Sequence, residues 1–588
     1  MYTLKRFLTT TRTYLAALLL VGLSLGFAQN VQTGTGGAVS TVDQLATEVG
    51  IQVLQDGGNA VDAAVTAAAV ISVTQPFSAG IGGGGFMLVY LADENRVVTI
   101  DSREMAPGAA TPDMFIDPET GESIPFFPER ITSGLAVGVP GTLAGWDEVL
   151  RRYGTMTLAE VLAPAITIAE EGFEVTEVFN AQVTRNQERF AAFTSTSALF
   201  LTEDGAAPDV GSTFTNPDLA ATFREIAEGG VNAFYRGPIG QDLVNAVQTP
   251  PTIDNPPFEV RPQMMTMDDL DAYNAIVRQP TETDYHGYTI YGMAPPTSGG
   301  MTVSLILNIL EGYDTSTMNE DEALHYFVEA SRLAYADRGA YMGDADFVNV
   351  PVEGLLSQEF ADARRQNITE QAGSDPAPGD PFAYQNDPSP PLMPPTEADT
   401  ESVSTTHLVT ADADGNAVSF TTTIESIGGS GIVVPGRGFL LNNELTDFSA
   451  TPGGPNTVEP YKRPRSSMSP TLVMQDGELR IAVGTPGGST IITTVAQILF
   501  NVIDREMALP EAISAPRLTQ RNTSTTRIET RFDDDIVAQL EARGHTFSET
   551  DEIGAAVGLY FNDDGTITAA AEAQRRGAGT AQVVEPGE

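Results

Sequence analysis

Apolar and polar positions follow two different periods along this chain, and the change from one to the other divides it. Between residues 41 and 74 apolar residues recur at helical spacing in two runs separated by Gly57-Gly58. Asn59 is placed to cap the second run, and its alanine density from Ala60 to Ala69 predicts a helix packed closely on a flat partner. GIGGGGFMLVY (80–90) passes from glycines into a strand, with Arg96 to Ile100 as its hairpin partner. Residues 135–350 read mainly as helices joined by Pro/Gly turns, the clearest running from Ala323 to Met342. YHGYTIYG (285–292) is a strand tied through Pro295-Pro296 and Gly299-Gly300 to a further helix. No internal repeat at a fixed period appears.

Beyond residue 403 the period shortens toward two. Val403 to Thr410 and Ala417 to Ile424, rich in Val, Thr and Phe, flank the turn-formers Asp412, Asp414, Gly415 and Asn416 and predict a hairpin. A strand, a turn and a second strand are expected in 429–448. Further hairpins fall at 471–484 and 555–572, with helices near 490–504 and 534–543. Strands interspersed with helices, one layer against another, make the fold class α+β. The Pro-rich stretch 372–404 has little that could pack and enters the first strand at Ser404/Thr405. A loose leader feeding an ordered strand is where a chain can be cut without being unfolded.

Composition narrows the picture. At 588 residues, 41% of them hydrophobic, the chain can bury a large core, and two tightly joined parts are expected. The N-terminus places Lys5, Arg6 and Arg12 ahead of an apolar run from Leu15 to Leu25, with small residues before Gln29. This predicts a secretory signal peptide over 1–28 and an exported, periplasmic or extracellular product. The run is short for an uncleaved membrane anchor, the other reading of the same pattern. Cysteine is absent, so disulfides, thiolate metal sites and a Cys nucleophile are excluded. His286, His325, His407 and His545 never stand at a ligand spacing, so no metal and no cofactor are expected. The net charge of −47 disfavours nucleic acid and anionic membrane as partners. With Lys5 and Lys462 its only lysines, such an acidic surface suits an ion-rich medium or serves solubility.

Three features could carry chemistry. The glycines 82–85 precede a strand, but no GK[ST], following helix or basic residue accompanies them, which favours close backbone approach over phosphate binding. Arg103, beside Asp101 and Glu104, could form a local salt bridge or face a pocket as a carboxylate clamp. The Thr405-Thr406 pair could be ordinary β-branched strand residues. If the Ser404–Thr405 bond is broken, however, Thr405 gains an α-amine of pKa near ~8 beside its own hydroxyl. One residue then supplies both nucleophile and base. His407 lies two residues on, facing the same side of the strand, with nothing in the sequence to make it the base.

Several motifs in order, GIGGGGFMLVY, DSREMAP, APPTSGG, TTHL at 405–408 with DADGNAVSFTTTIES behind it, GFLLNNELTDF, RPRSSMSP and GTPGGS, give the chain a resemblance to the γ-glutamyltransferase family of N-terminal-nucleophile hydrolases. The match extends from Ala38 to the C-terminal region. The resemblance implies a four-layer αββα sandwich formed jointly by a large subunit, 29–404, and a small catalytic subunit, 405–588, cut from one precursor and held as a heterodimer. It implies that Thr405 cleaves the chain after Ser404 and then serves as catalytic nucleophile, with Thr423 orienting it. Gly487 and Gly488 would offer N–H groups to the oxyanion. Arg103 with Ser466 and Ser467 would hold the α-carboxylate of a γ-glutamyl group, and Glu444 and Asp447 its ammonium. A γ-glutamyl substrate such as glutathione, with water or an amino-acid or peptide acceptor, is the implied chemistry. Two departures stand out. Glu425 replaces the Asn of many members, adding a carboxylate near the ammonium, and the loop between Asp447 and Lys462 is short, without the lid of some relatives. These leave open a glutaryl (cephalosporin) acylase or a poly-γ-glutamate-processing enzyme, and, more remotely, a silent binding protein.

Overall fold

The computed structural model describes residues 30–386 and 404–587. The expected signal peptide and most of the stretch expected to be loose before Thr405 lie outside the described residues. Thirteen strands form one sheet: β1 Val31–Thr41, β2 Gly84–Leu91, β3 Arg96–Ser102, β4 Ile276–Arg278, β5 Thr281–Tyr285, β6 Tyr288–Gly292, β7 Thr406–Asp412, β8 Ala417–Thr423, β9 Thr471–Gln475, β10 Glu478–Gly484, β11 Val557–Phe561, β12 Ile567–Ala571 and β13 Thr580–Pro586. The order is β4-β3-β2-β8-β7-β1-β12-β11-β10-β9-β6-β5, with β13 also on β1. All of these pairs are antiparallel.

The sheet curls until its two halves face each other. Ser419 on β8 donates to the Val483 carbonyl of β10 at 3.2 Å and accepts from the Thr471 N–H at 3.1 Å. The result is two sheet layers with helices outside both, the four-layer sandwich expected from the family resemblance. Alternation sorts the layers. Val418 and Phe420 of β8 and Leu408 of β7 pack toward helices α1 (Gln44–Gln55), α2 (Ala60–Thr74) and α3 (Thr142–Tyr153). Ser419, Thr421 and His407 turn inward, between the sheets. Helices α4 (Gly299–Leu310), α5 (Glu320–Tyr341) and α6 (Ile491–Ile503) cover the other half. Every residue of α2 is buried, as its alanines allow, and Asn59 caps it by accepting from the Val61 and Asp62 N–H groups.

Three expectations differ. The stretch 429–448 forms no strands: one bridge, Val433 to Leu440, carries the reversal, because left-handed Gly428, Gly429, Gly431, Gly436 and Gly438 interrupt the extended backbone. The segment expected to be loose from 372 on is docked over 372–386. Phe382 is buried with its ring 5.9 Å from that of Tyr341, and Gly379 donates to Asp337 at 2.7 Å. β1 was not foreseen, since glycines and a bulge between Thr35 and Ala38 hide its alternation. Because β1 joins β7 to β12 and β13, the parts before and after Thr405 share one sheet. No helix among the described residues is long and apolar enough to cross a membrane.

Candidate active site

The β7/β8 hairpin brings Thr405 and Thr423 together. Register places Thr406 opposite Thr422, so the residues at the open end of the hairpin lie side by side, and the two hydroxyls are 3.1 Å apart. Thr423 also accepts the Glu425 N–H at 2.9 Å, which fixes its rotamer. Thr405 is still joined to Ser404, with φ +83°, a conformation that a β-branched residue adopts only under strain. The Ser404 carbonyl accepts the Gly487 N–H at 3.3 Å, and the guanidinium of Arg576 reaches both the Ser404 and the Thr405 carbonyls, at 3.4 and 3.0 Å. Gly487 has φ +144° and a Cβ there would stand 2.7 Å from the Thr490 hydroxyl, so glycine is required. Gly488 lines the cleft beyond it.

His407 takes no part in this. It is buried between the sheets with Nδ1 2.8 Å from the Thr421 hydroxyl, and burial lowers its pKa to about 3. Its ring fills the space a Cβ on Gly484 would occupy, 2.3 Å away.

The cleft in front of Thr405 encloses about 740 Å³, part of it open to solvent, and is lined by charge. Arg103, Glu425, Glu444, Asp447, Ser466 and Ser467, all singled out in the sequence, border it together with Thr405, Thr423 and Gly488. Arg103 resolves the earlier alternatives in an unforeseen way. It does face the pocket, yet it is already ion-paired, with Glu444 and Asp447 rather than with Asp101. Asp101 instead pairs with Arg278 and Arg463. Arg103 also donates to the Pro464 and Arg465 carbonyls at 3.2 and 3.1 Å. Thus the groups expected to hold opposite ends of a substrate hold each other, because buried charges must find partners.

Glu104, taken from the sequence as a local neighbour, sits 4.0 Å from the same guanidinium. Burial, opposed by Arg103, pushes its pKa up to about 7, and burial also raises Glu444. Glu425 has φ +76° and accepts from the Ser426 hydroxyl. Ser467 accepts from Arg338 at 2.8 Å, while the Ser466 hydroxyl accepts the Met468 N–H at 3.1 Å. The short loop after Asp447 supplies Phe448, Ser449, Ala450 and Asn456 to the wall. Sequence reasoning missed Glu104, Arg338 and Arg576. Glu104 stood in a quoted motif, whereas the other two lie in an ordinary amphipathic helix and a C-terminal turn that carry no signal.

A hydroxyl poised at the start of a strand inside a curled sandwich, with its own preceding carbonyl held by a backbone N–H, defines an N-terminal-nucleophile hydrolase, and this protein is an enzyme of that class. The family model described as gamma-glutamyltranspeptidase matches residues 46–582, and the chain belongs to that family. It is 40% identical over 555 residues to the glutathione hydrolase proenzyme of Bacillus subtilis (strain 168), spanning 94% of this chain and 92% of that one. The acylase ACY 1 proenzyme of Pseudomonas sp. (strain V22) is 36% identical, over 92% of both. Among solved structures, cephalosporin acylase from Bacillus halodurans superposes with a TM-score of 0.83 at 28% identity, covering 94% of this chain and 97% of that one. Helicobacter pylori gamma-glutamyltranspeptidase gives 0.52 at 36% identity, with 56% of this chain over 90% of that shorter one.

Proposed function

We propose that this enzyme is an exported γ-glutamyl hydrolase and transferase that cuts itself before Thr405. The cut leaves two subunits, 29–404 and 405–588, paired through their shared sheet. Freed, the Thr405 α-amine takes the proton of its own hydroxyl, the Oγ attacks the γ-amide carbon, and the amine of the leaving group departs protonated. Water or an acceptor amine then attacks the ester and returns Thr405. Gly487 and Gly488 stabilise the oxyanion through their N–H groups. The α-carboxylate of a γ-glutamyl group, as in glutathione, binds Arg103 with Ser466 and Ser467, displacing part of its present ion pairing. Its ammonium takes the carboxylates so released, Glu444 and Asp447, with Glu425 beside them. Export rests on the basic and apolar pattern of the first 28 residues.

The observation that carries this reading is the Thr405 hydroxyl, 3.1 Å from Thr423, at the head of a cleft lined by both arginines (Arg103, Arg130, Arg338 and Arg465) and carboxylates (Glu425, Glu444 and Asp447). Such a lining complements a zwitterion. Wild-type protein should appear as two fragments on a denaturing gel and hydrolyse glutathione. A wild-type chain that remains whole sinks the reading.

Similarity to the cephalosporin acylase over nearly its full length favours a second reading, in which the acyl group is glutaryl-like and lacks the ammonium. Assay on glutathione and on a glutaryl amide separates the two. The first reading expects the amide lacking the ammonium to be slower by at least ~10²-fold, since its buried carboxylates would stay unpaired. Equal rates favour the second.

A further inference from the structure

We infer that Arg576 is the electrostatic catalyst of self-cleavage, holding the oxyanion that forms on the Ser404 carbonyl when Thr405 attacks it. The inference rests on the self-cleavage proposed above and assigns a residue to it. Within the uncut chain the Ser404 oxygen receives two donors from separate loops, the Gly487 N–H at 3.3 Å and the Arg576 guanidinium at 3.4 Å. The same guanidinium donates to the Thr405 carbonyl at 3.0 Å, so it clasps the chain on both sides of the nucleophile. Ser404 is fully buried and Thr405 nearly so. In so enclosed a place a charge aimed at a carbonyl is screened little by solvent.

The surroundings of Arg576 separate it from an ordinary structural arginine. Its neighbour Arg575 belongs to a buried network of two arginines and two glutamates: Arg575 bonds Glu529 and Glu572 at 2.6 Å, and Arg517 pairs with Glu572 at 3.1 Å. That network pins the turn. At Arg576 the backbone then goes left-handed, φ +50°, and its N–H donates to Glu552 at 3.0 Å. Its guanidinium forms no ion pair among the described residues; the side-chain bonds go to the two carbonyls. Burial lowers its pKa to about 10, which still leaves it charged at neutral pH. In a chain with 78 acidic residues, a guanidinium whose hydrogen bonds go to carbonyl dipoles, with Glu552 acting on it only through space, keeps field for charge that has yet to form.

The step balances as follows. Thr405 Oγ bonds to the Ser404 carbonyl carbon, the carbonyl electrons move to oxygen, and Arg576 with the Gly487 N–H stabilises that oxyanion. The C–N bond then breaks, the hydroxyl proton goes to the departing nitrogen, and an ester joins Ser404 to Thr405 Oγ. Water hydrolyses the ester, leaving a Ser404 carboxylate and restoring the hydroxyl of an N-terminal Thr405. The donor distances of 3.3 and 3.4 Å belong to the planar ground state and shorten as the oxygen gains charge.

The test follows purified uncut chain into two fragments on denaturing gels for wild type, Arg576→Lys, Arg576→Gln and Arg576→Ala, with circular dichroism of each uncut chain. Arg576→Gln is expected to cleave ~10²- to 10³-fold more slowly, the cost of losing one oxyanion donor. Arg576→Lys should fall between, and added guanidinium should speed Arg576→Ala but not wild type, which a purely structural role would not produce. A wild-type chain that never splits overturns self-cleavage itself. A wild type that splits while Arg576→Gln splits equally fast overturns only the role of Arg576. So does loss of the native spectrum in all three variants, or a lack of guanidinium rescue, either of which would place the residue in the packing.

Discussion

Two arginines flank the site and differ in what surrounds them: Arg103 is buried in the wall of the cleft at its charged end, and Arg576, part-buried, lies against the backbone carbonyls at the Thr405 end. Arg103 is hemmed in by carboxylates, with Glu444 and Asp447 paired to it and Glu104 at 4.0 Å. The guanidinium of Arg576 forms no ion pair among the described residues; its hydrogen bonds go to the carbonyls of Ser404 and Thr405, with Glu552 held by its backbone N–H. A cation neutralised by neighbours holds the fold together without substrate, and any ligand must compete with those neighbours. One facing dipoles adds little to stability, yet it is ready for charge that appears during reaction. The first arrangement suits recognition by exchange of partners and the second suits catalysis.

The nucleophile itself gives the largest effect. Thr405→Ala should keep the chain whole on a denaturing gel and lower glutathione hydrolysis by at least ~10⁴-fold, as loss of a nucleophile does elsewhere. Its circular dichroism should remain native, because the hydroxyl bonds only Thr423. Residual splitting at Ser404 in this variant would break the picture of a catalytic end centred on Thr405.

Next comes a direct contrast of the two arginines. Arg103→Met strands Glu104 and Glu444 without their cation, and urea unfolding should show a loss of ~3–5 kcal/mol together with a raised KM. Arg576→Gln should cost far less stability, since the guanidinium forms no ion pair among the described residues and its loss leaves no buried carboxylate without its cation. Equal losses in the two variants would erase the distinction between a neutralised and an unneutralised cation.

A smaller effect tests whether the uncharged end depends on packing. Gly484→Ala would drive a Cβ into the ring of His407, which projects from β7 of the β7/β8 hairpin into the space between the sheets. The expected cost is ~1–3 kcal/mol by urea unfolding. His407→Ala in the same chain should recover part of it by opening the space.

The two ends were unequally legible in the sequence. The Thr405 end could be read because a hairpin has a simple period: Thr405 and Thr423 lie at its open end whatever else the chain does, and glycines at 487 and 488 signal close approach. Its arginine could not, since Arg576 reaches Ser404 across 172 residues of chain from a turn without any pattern. At the charged end the residues were found and their pairing was not. Arg103 sits beside Asp101 and Glu104 in sequence, but β3 directs Asp101 toward Arg278 and Arg463, and the three-dimensional partners of Arg103 come from more than 340 residues away. Strands β7 and β8 followed from alternation, whereas β1 was hidden by its glycines, although it joins the two halves of the sheet.

The smallest predicted effect concerns Glu104 and pH. Burial raises its pKa from the usual 4.5 to about 7, so the folded chain holds this proton more tightly than the unfolded one. Between pH 4.5 and about 7 the native state therefore binds more protons, and linkage makes the contribution of Glu104 to stability fall as pH rises through that window. Glu104→Gln removes the ionisation and keeps the shape, so relative to wild type it should become progressively more stable from pH 4.5 to 7 in urea titrations, then level off. Arg576→Gln should show no such trend, because the pKa of Arg576, near 10, lies outside the window. A Glu104→Gln difference that stays flat with pH would mean that Arg103 holds this carboxylate ionised throughout. The guanidinium would then be shared among three charged partners, and the charged end would be tighter than its ion pairs with Glu444 and Asp447 alone make it.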